Sequence, residues 1–246
     1  MKKLLLLLCY LFIFSACEQN QPPKLVLKAC SYQTSNAKLQ LYNDVLIELV
    51  ERHFYHRYLG ESFADSIITA SNVYELTDSM QVFKELNKMS AIYSQRQKEI
   101  FNNPEQWCTV YLDTAWYGDS HFEEILRALP IDSAEYLMGK RLGFQESEWK
   151  PSYLINLQSP QKEFKSKNFQ ACTFRVADIQ HYQIDRSTCE IGRFQFSNVS
   201  LNGSQTKGWL YYEFSCGGNC GMGEILTIEK SKDKWVIKSA KNLWIS

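Results

Sequence analysis

Apolar and polar positions change rhythm along this chain. Residues 4–16 carry no charge. From residue 37 the apolar positions recur every three or four residues: Tyr42, Val45, Leu46, Leu49, Val50, Phe54 and Tyr58. That spacing places them on one helical face and predicts a helix over 37–59, with Gly60 as its stop. A second helix is predicted to begin at Thr77-Asp78, where Asp78 can cap and Gln81 stands three residues on. Val82, Leu86, Met89, Tyr93 and Ile100 line its apolar face, and Asn102-Asn103-Pro104 ends it. The stretch 61–76 has room for a short third helix.

Beyond Trp107 the pattern turns to strands. A first is predicted at 108–112, followed by short helices at 122–128 and 133–138 and a strand at 153–157. Stronger strand segments follow at 171–179, 190–201, 207–215 and 223–230, with a last at 235–238 that can run on to 245. They are rich in Val, Ile, Thr, Phe, Tyr and Trp, and polar turns separate them. Asn202-Gly203 is a hairpin signal, and Lys232-Asp233-Lys234 is a short polar turn. Strands that follow helices, joined by short links, predict an α+β domain over 37–246 with N-terminal helices packed on a C-terminal antiparallel meander sheet. The alternative fold is a curved antiparallel sheet wrapped around helices, similar to the NTF2-like family.

Composition narrows the classes. Hydrophobic residues make up 45% and aromatics 14% of 246 residues, against only 11 Gly and 6 Pro, which excludes a disordered or collagenous chain. Lys plus Arg and Asp plus Glu are equal at 27 each. The basic excess of a nucleic-acid binder is missing, so no nucleic-acid partner is expected.

The N-terminus carries an address. Met1-Lys2-Lys3 is a short positive region, and residues 4–16 are too few to span a bilayer, which takes about 20 apolar residues. They suit the apolar core of a signal peptide. The segment ends in Phe14-Ser15-Ala16-Cys17, which resembles the lipobox of bacterial lipoproteins, with Phe14 where that family prefers Leu. The resemblance implies a diacylglyceryl group on the Cys17 thiol, cleavage just before Cys17, and a further acyl chain on the new amino group. Residues 1–16 are then the signal. Residues 17–36 form a polar tether beginning Glu18-Gln19-Asn20-Gln21-Pro22-Pro23. Membrane lipid becomes a partner through acylated Cys17, in the cell envelope. Glu18 stands where some bacteria use Asp for inner-membrane retention, which favours the outer membrane.

Export sets the reading of the cysteines. Of the eight, Cys9 leaves with the signal and Cys17 is acylated. Cys30, Cys108, Cys172, Cys189, Cys216 and Cys220 remain, an even number in an oxidising compartment. Cys216-Gly217-Gly218-Asn219-Cys220 brackets a turn-prone segment, so a Cys216–Cys220 disulfide is expected. The pairing of the other four stays open.

Candidate chemistry is sparse. The run from Cys216 to Gly223 holds four glycines in eight residues, which can present backbone N–H groups to an anion. It lacks the Gly-Lys-Ser/Thr of a phosphate loop and leads into a strand. Glu51, His53 and His56 sit in Glu-Arg-His-Phe-Tyr-His. The two histidines share a helical face, but a third ligand and the His-Glu-x-x-His spacing are missing, so packing is the expected role. Ser-x-x-Lys at Ser35, Ser147 and Ser231 has no Ser-Asp-Asn or Lys-Thr-Gly companion. Trp116, Tyr117 and Trp149 could line a sugar or peptide groove, but core and helix–sheet packing is the expected role. No catalytic residue, metal site or cofactor is assigned. The expectation is a membrane-anchored envelope lipoprotein of binding or accessory type, with a protein or small molecule as its unidentified ligand. The competing expectation is an envelope hydrolase or thiol-dependent enzyme with a pocket on the sheet face, drawing on His181, Asp185 or the glycine-rich hairpin.

Overall fold

A computed structural model describes residues 32, 34–59, 79–114, 156–157, 159–181, 189–217 and 220–246. The signal, Cys17 and the start of the tether lie outside them. So do the expected helices at 61–76, 122–128 and 133–138, together with His121, Asp185, Trp116, Tyr117 and Trp149.

Helix α1 covers Ala37–Glu48 and starts at Asn36, whose side-chain oxygen accepts the N–H groups of Lys38 and Leu39 at 3.1 and 3.0 Å. That closes two of the first-turn donors a helix leaves unpaired. The predicted 37–59 helix does not run through unbroken. Leu49–His53 is a π-turn, closed by the Phe54 N–H on the Leu49 carbonyl at 2.9 Å, and a short helix α2, Tyr55–Tyr58, follows. The extra residue hides easily in a three-to-four periodicity. All seven residues of the predicted apolar face are nonetheless buried. Helix α3 spans Ser79–Ile100 and ends at Asn102, which takes the left-handed conformation at φ 56° and donates its N–H to the Cys172 carbonyl at 2.9 Å.

Seven strands form one open sheet: β1 Cys108–Leu112, β2 Phe174–Asp178, β3 Glu190–Phe196, β4 Ser200–Leu201, β5 Lys207–Ser215, β6 Gly221–Ser231 and β7 Lys234–Ile245. Their order is β2-β1-β3-β5-β6-β7, with β4 added to β5. From β3 onward the pairing is the expected antiparallel one. The sheet then extends past it, because β1 lies between β2 and β3 and pairs with both in parallel. The domain is α+β with a mixed, mostly antiparallel sheet. The expected strand at 153–157 is not seen in its described part, since Asn156 and Leu157 are helical.

The sheet is apolar on the face that meets α1 and α2. Val110, Leu112, Phe174, Phe194, Phe196, Leu210, Tyr212, Phe214, Leu226 and Ile228 alternate with outward residues and share one core with Tyr42, Leu46, Leu49 and Phe54. Phe54, just past the π-turn, sits among Phe214, Phe194 and Tyr212 at ring separations of 3.9, 5.2 and 6.3 Å. Tyr32, inside the expected tether, already packs against this core. The expected strand 190–201 is interrupted at Ser197–Val199 for a definite reason: the Tyr42 hydroxyl donates to the Ser197 carbonyl at 2.9 Å and accepts the Val199 N–H at 3.0 Å. The Asn202-Gly203 signal yields a longer turn than expected. Asn202 Oδ1 accepts the N–H groups of Thr206 and Lys207, and Gln205 takes the positive φ of 55°.

Candidate functional site

Helix α1 is buried on nearly all sides, and three of its buried side chains are polar: Asn43, Asp44 and Glu48. A buried polar group has to find a partner. Asp44 Oδ2 accepts the Trp235 N–H and Glu48 Oε2 accepts the Ile237 N–H, each at 2.9 Å. Asn43 pairs with the Gln170 backbone in both directions, at 3.0 and 2.8 Å. The first half of the β7 edge is therefore closed by carboxylates of a helix rather than by another strand. Burial pushes the Asp44 carboxyl above its ordinary value, and the Trp235 N–H and the Lys234 charge offset only part of that.

The π-turn turns Glu51 inward and leaves Arg52 and His53 exposed. The Glu51 carboxylate accepts the Thr173 hydroxyl at 2.7 Å, and its backbone carbonyl accepts the Tyr93 hydroxyl. Burial raises its pKa against the opposing Thr173 hydrogen bond. Nearby, the Tyr58 hydroxyl is buried beside Gln97 but outside good hydrogen-bond geometry among the described residues. Burial, then the Glu51 charge, pushes that phenol far up. Glu51 and His53 therefore point apart, and His53 is exposed where packing was expected. The side chains of His56 and His181 lie outside the described residues.

The glycine-rich run joins β5 to β6. Cys216 and Cys220 are paired there as a disulfide with Cα atoms 5.3 Å apart, and the Cys216 N–H donates to the Cys220 carbonyl at 2.9 Å. Arg57 of α2 donates from Nη2 to Cys220 Sγ at 3.2 Å and lies 5.9 Å from the Phe214 ring centre. A second disulfide, left open by the sequence, joins Cys108 to Cys189 across 81 residues with Cα atoms 4.6 Å apart. It ties the starts of β1 and β3. Because β1, β2 and β3 are parallel and Ser215 pairs with Arg193, both disulfides sit at one end of the sheet. Cys172, just before β2, is at that end too, and it is also disulfide-bonded.

The opposite face of the sheet carries a polar chain. Trp244 Nε1 donates to the Tyr211 hydroxyl at 2.9 Å, and that hydroxyl donates to Glu213 Oε1 at 2.7 Å. Gly223 leaves room for it: a Cβ there would meet Trp244 Nε1 at 2.0 Å and Tyr211 Oη at 2.5 Å. On the same face Arg193 stands 3.7 Å from Asp113, and the Tyr111 hydroxyl donates to Glu190 at 2.9 Å. Trp209, Tyr211 and Ile225 are buried on this side. On the core face the Tyr212 hydroxyl donates to Glu224 Oε2 at 2.6 Å.

Sequence reasoning missed Asn43, Asp44, Glu48, Tyr58 and Thr173. One signal was present: Asp44 and Glu48 lie four apart and flank Val45 and Leu46 on a strongly apolar helix, where an acid is rarely solvated on all sides. Among the described residues, no three His, Cys, Asp or Glu side chains come together as a metal site, and no helix is long and apolar enough to cross a membrane. No protein family, curated protein or solved structure matches the chain.

Proposed function

We propose that this chain is an exported lipoprotein, acylated at Cys17, whose domain works by binding or as an accessory subunit of the cell envelope, on the outer membrane. The observation that carries the reading is Cys17 directly after 13 uncharged residues that end in Phe14-Ser15-Ala16. Two disulfides at one end of the sheet accord with an oxidising compartment. Several acids set into the domain have structural partners: Asp44 and Glu48 close the β7 edge, Asp113 faces Arg193, and Glu224 accepts a tyrosine hydroxyl. The test is membrane fractionation with a fatty-acid label. Wild type stays with membranes and takes up label, and Cys17→Ser does neither. A Cys17→Ser protein that remains bound and labelled contradicts the reading.

A second reading, an envelope hydrolase, has one observation behind it. Glu51 is a half-buried residue whose carboxyl has a raised pKa, next to the buried Tyr58 phenol and the Gln97 amide. Such a group serves as a general acid when a substrate can reach it. Turnover of an ester, glycoside or peptide panel that disappears in Glu51→Gln, with the fold intact, decides for this reading.

A further inference from the structure

The two disulfides between described residues use Cys108, Cys189, Cys216 and Cys220. Cys172 is also disulfide-bonded, so its partner lies outside the described residues. Only Cys9, Cys17 and Cys30 remain in the sequence. The reading of Cys17 as the acylated residue, on which this step rests, removes Cys9 with the signal and engages the Cys17 thiol in a thioether. An independent observation points the same way. Tyr32, two residues after Cys30, packs against the core, and its hydroxyl donates to the Asn168 carbonyl at 3.3 Å, four residues before Cys172. The chain entering the domain therefore runs beside the segment that leads into β2. That segment is itself fixed, by Asn43 on Gln170 and by the Asn102 N–H on the Cys172 carbonyl.

We propose that Cys30 and Cys172 form a third disulfide, which staples the membrane tether to the base of β2. Its formation removes two thiol protons and two electrons, taken up by the disulfide of a thiol–disulfide exchange protein in the oxidising compartment, which leaves as a dithiol. The bond changes what the tether is. The free run between lipid and domain, already cut short by Tyr32 on the core, is then fixed covalently at Cys30, at most about 45 Å from Cys17 when fully extended. A pull on the lipid is then received by the sheet end that already holds Cys108–Cys189 and Cys216–Cys220, instead of by the noncovalent contacts of Tyr32.

The experiment uses the full chain in membranes, with a site-specific protease sequence inserted between Gln33 and Thr34. After cleavage the domain should stay membrane-bound and leave only when reductant is added. Release without reductant overturns the proposal. So does persistence after reductant, because the domain is then held by something else. Non-reduced peptide mapping of the uncut protein adds the identity of the bond. A Cys30–Cys172 peptide supports the proposal. Cys172 free while Cys108–Cys189 and Cys216–Cys220 are intact overturns it and leaves the lipoprotein reading standing. A Cys17–Cys172 peptide, or all thiols free in protein trapped in intact cells, overturns both.

Discussion

The carboxylates of α1 give the sharpest test of how this fold is held. Asp44→Ala removes the acceptor that sits 2.9 Å from the Trp235 N–H, and Trp235 is buried at 4% exposure. A hydrogen bond to a charged group contributes about 1.5–3 kcal/mol, and an orphaned buried N–H costs about 1–3 kcal/mol. Against that loss stands the relief of a carboxyl whose pKa is raised by burial. The expected net destabilisation is roughly 2 kcal/mol, which for a domain of this size lowers Tm by about 4–8 °C. Asp44→Asn keeps an oxygen in place and removes the charge, so at neutral pH it should unfold close to wild type. Urea or thermal unfolding of the three proteins measures the difference, and amide exchange at Trp235 localises it. Trp235 should exchange faster in Asp44→Ala and stay protected in Asp44→Asn. If Asp44→Ala melts within about 1 °C of wild type with the Trp235 amide still protected, α1 does not close the β7 edge as described.

Other outcomes follow from the same contacts. Gly223→Ala drives a methyl into Trp244 and should cost about 1–3 kcal/mol, with altered tryptophan fluorescence; an unchanged urea midpoint contradicts it. The Glu51 carboxyl has a raised pKa in the fold, so its contribution to stability is complete below the unfolded carboxylate value and is lost as pH rises through the folded one. Glu51→Gln should therefore gain on wild type across that window and above it, and equal gains at all pH values in a melting series refute the assignment. Loss of Cys108–Cys189, which closes a separation of 81 residues, should lower Tm more than loss of Cys216–Cys220, which closes a separation of 4: on the order of 4 against 2 kcal/mol. Calorimetry of the paired Cys→Ser variants ranks them, and the reverse order contradicts the loop-closure account.

Much of this architecture was legible in the chain. The strand predicted at 207–215 is β5 residue for residue, because a run of aromatic and apolar residues ends at turn residues on both sides. The α1 face was equally plain, since burial follows the three-to-four spacing through Tyr58. What sequence could not show was tertiary. The π-turn adds one residue without disturbing the spacing enough to be seen. The parallel place of β1 depends on partners at 174–178 and 190–194, too far along the chain for any turn signal to announce. The break before β4 is made by a tyrosine 155 positions earlier. Gly192 is a partial exception. It takes φ 144° where the β1–β3 register slips, with the Phe214 ring over it, and the lone glycine in a predicted strand was the one sign of that bulge. Among the candidate site residues, the Cys216–Cys220 pairing was readable because three turn-forming residues separate the two. Glu51 was noticed only as a neighbour of histidines, when its burial against Thr173 is what sets it apart.

The account rests most on Cys17, and intact-peptide mass spectrometry of protein taken from the cell envelope tests it most directly. The account predicts an N-terminal peptide that begins at Cys17 and carries a diacylglyceryl thioether and an amide-linked acyl chain, with no peptide from residues 1–16. A mature chain that begins at any other residue, or a Cys17 peptide with no lipid mass, contradicts it.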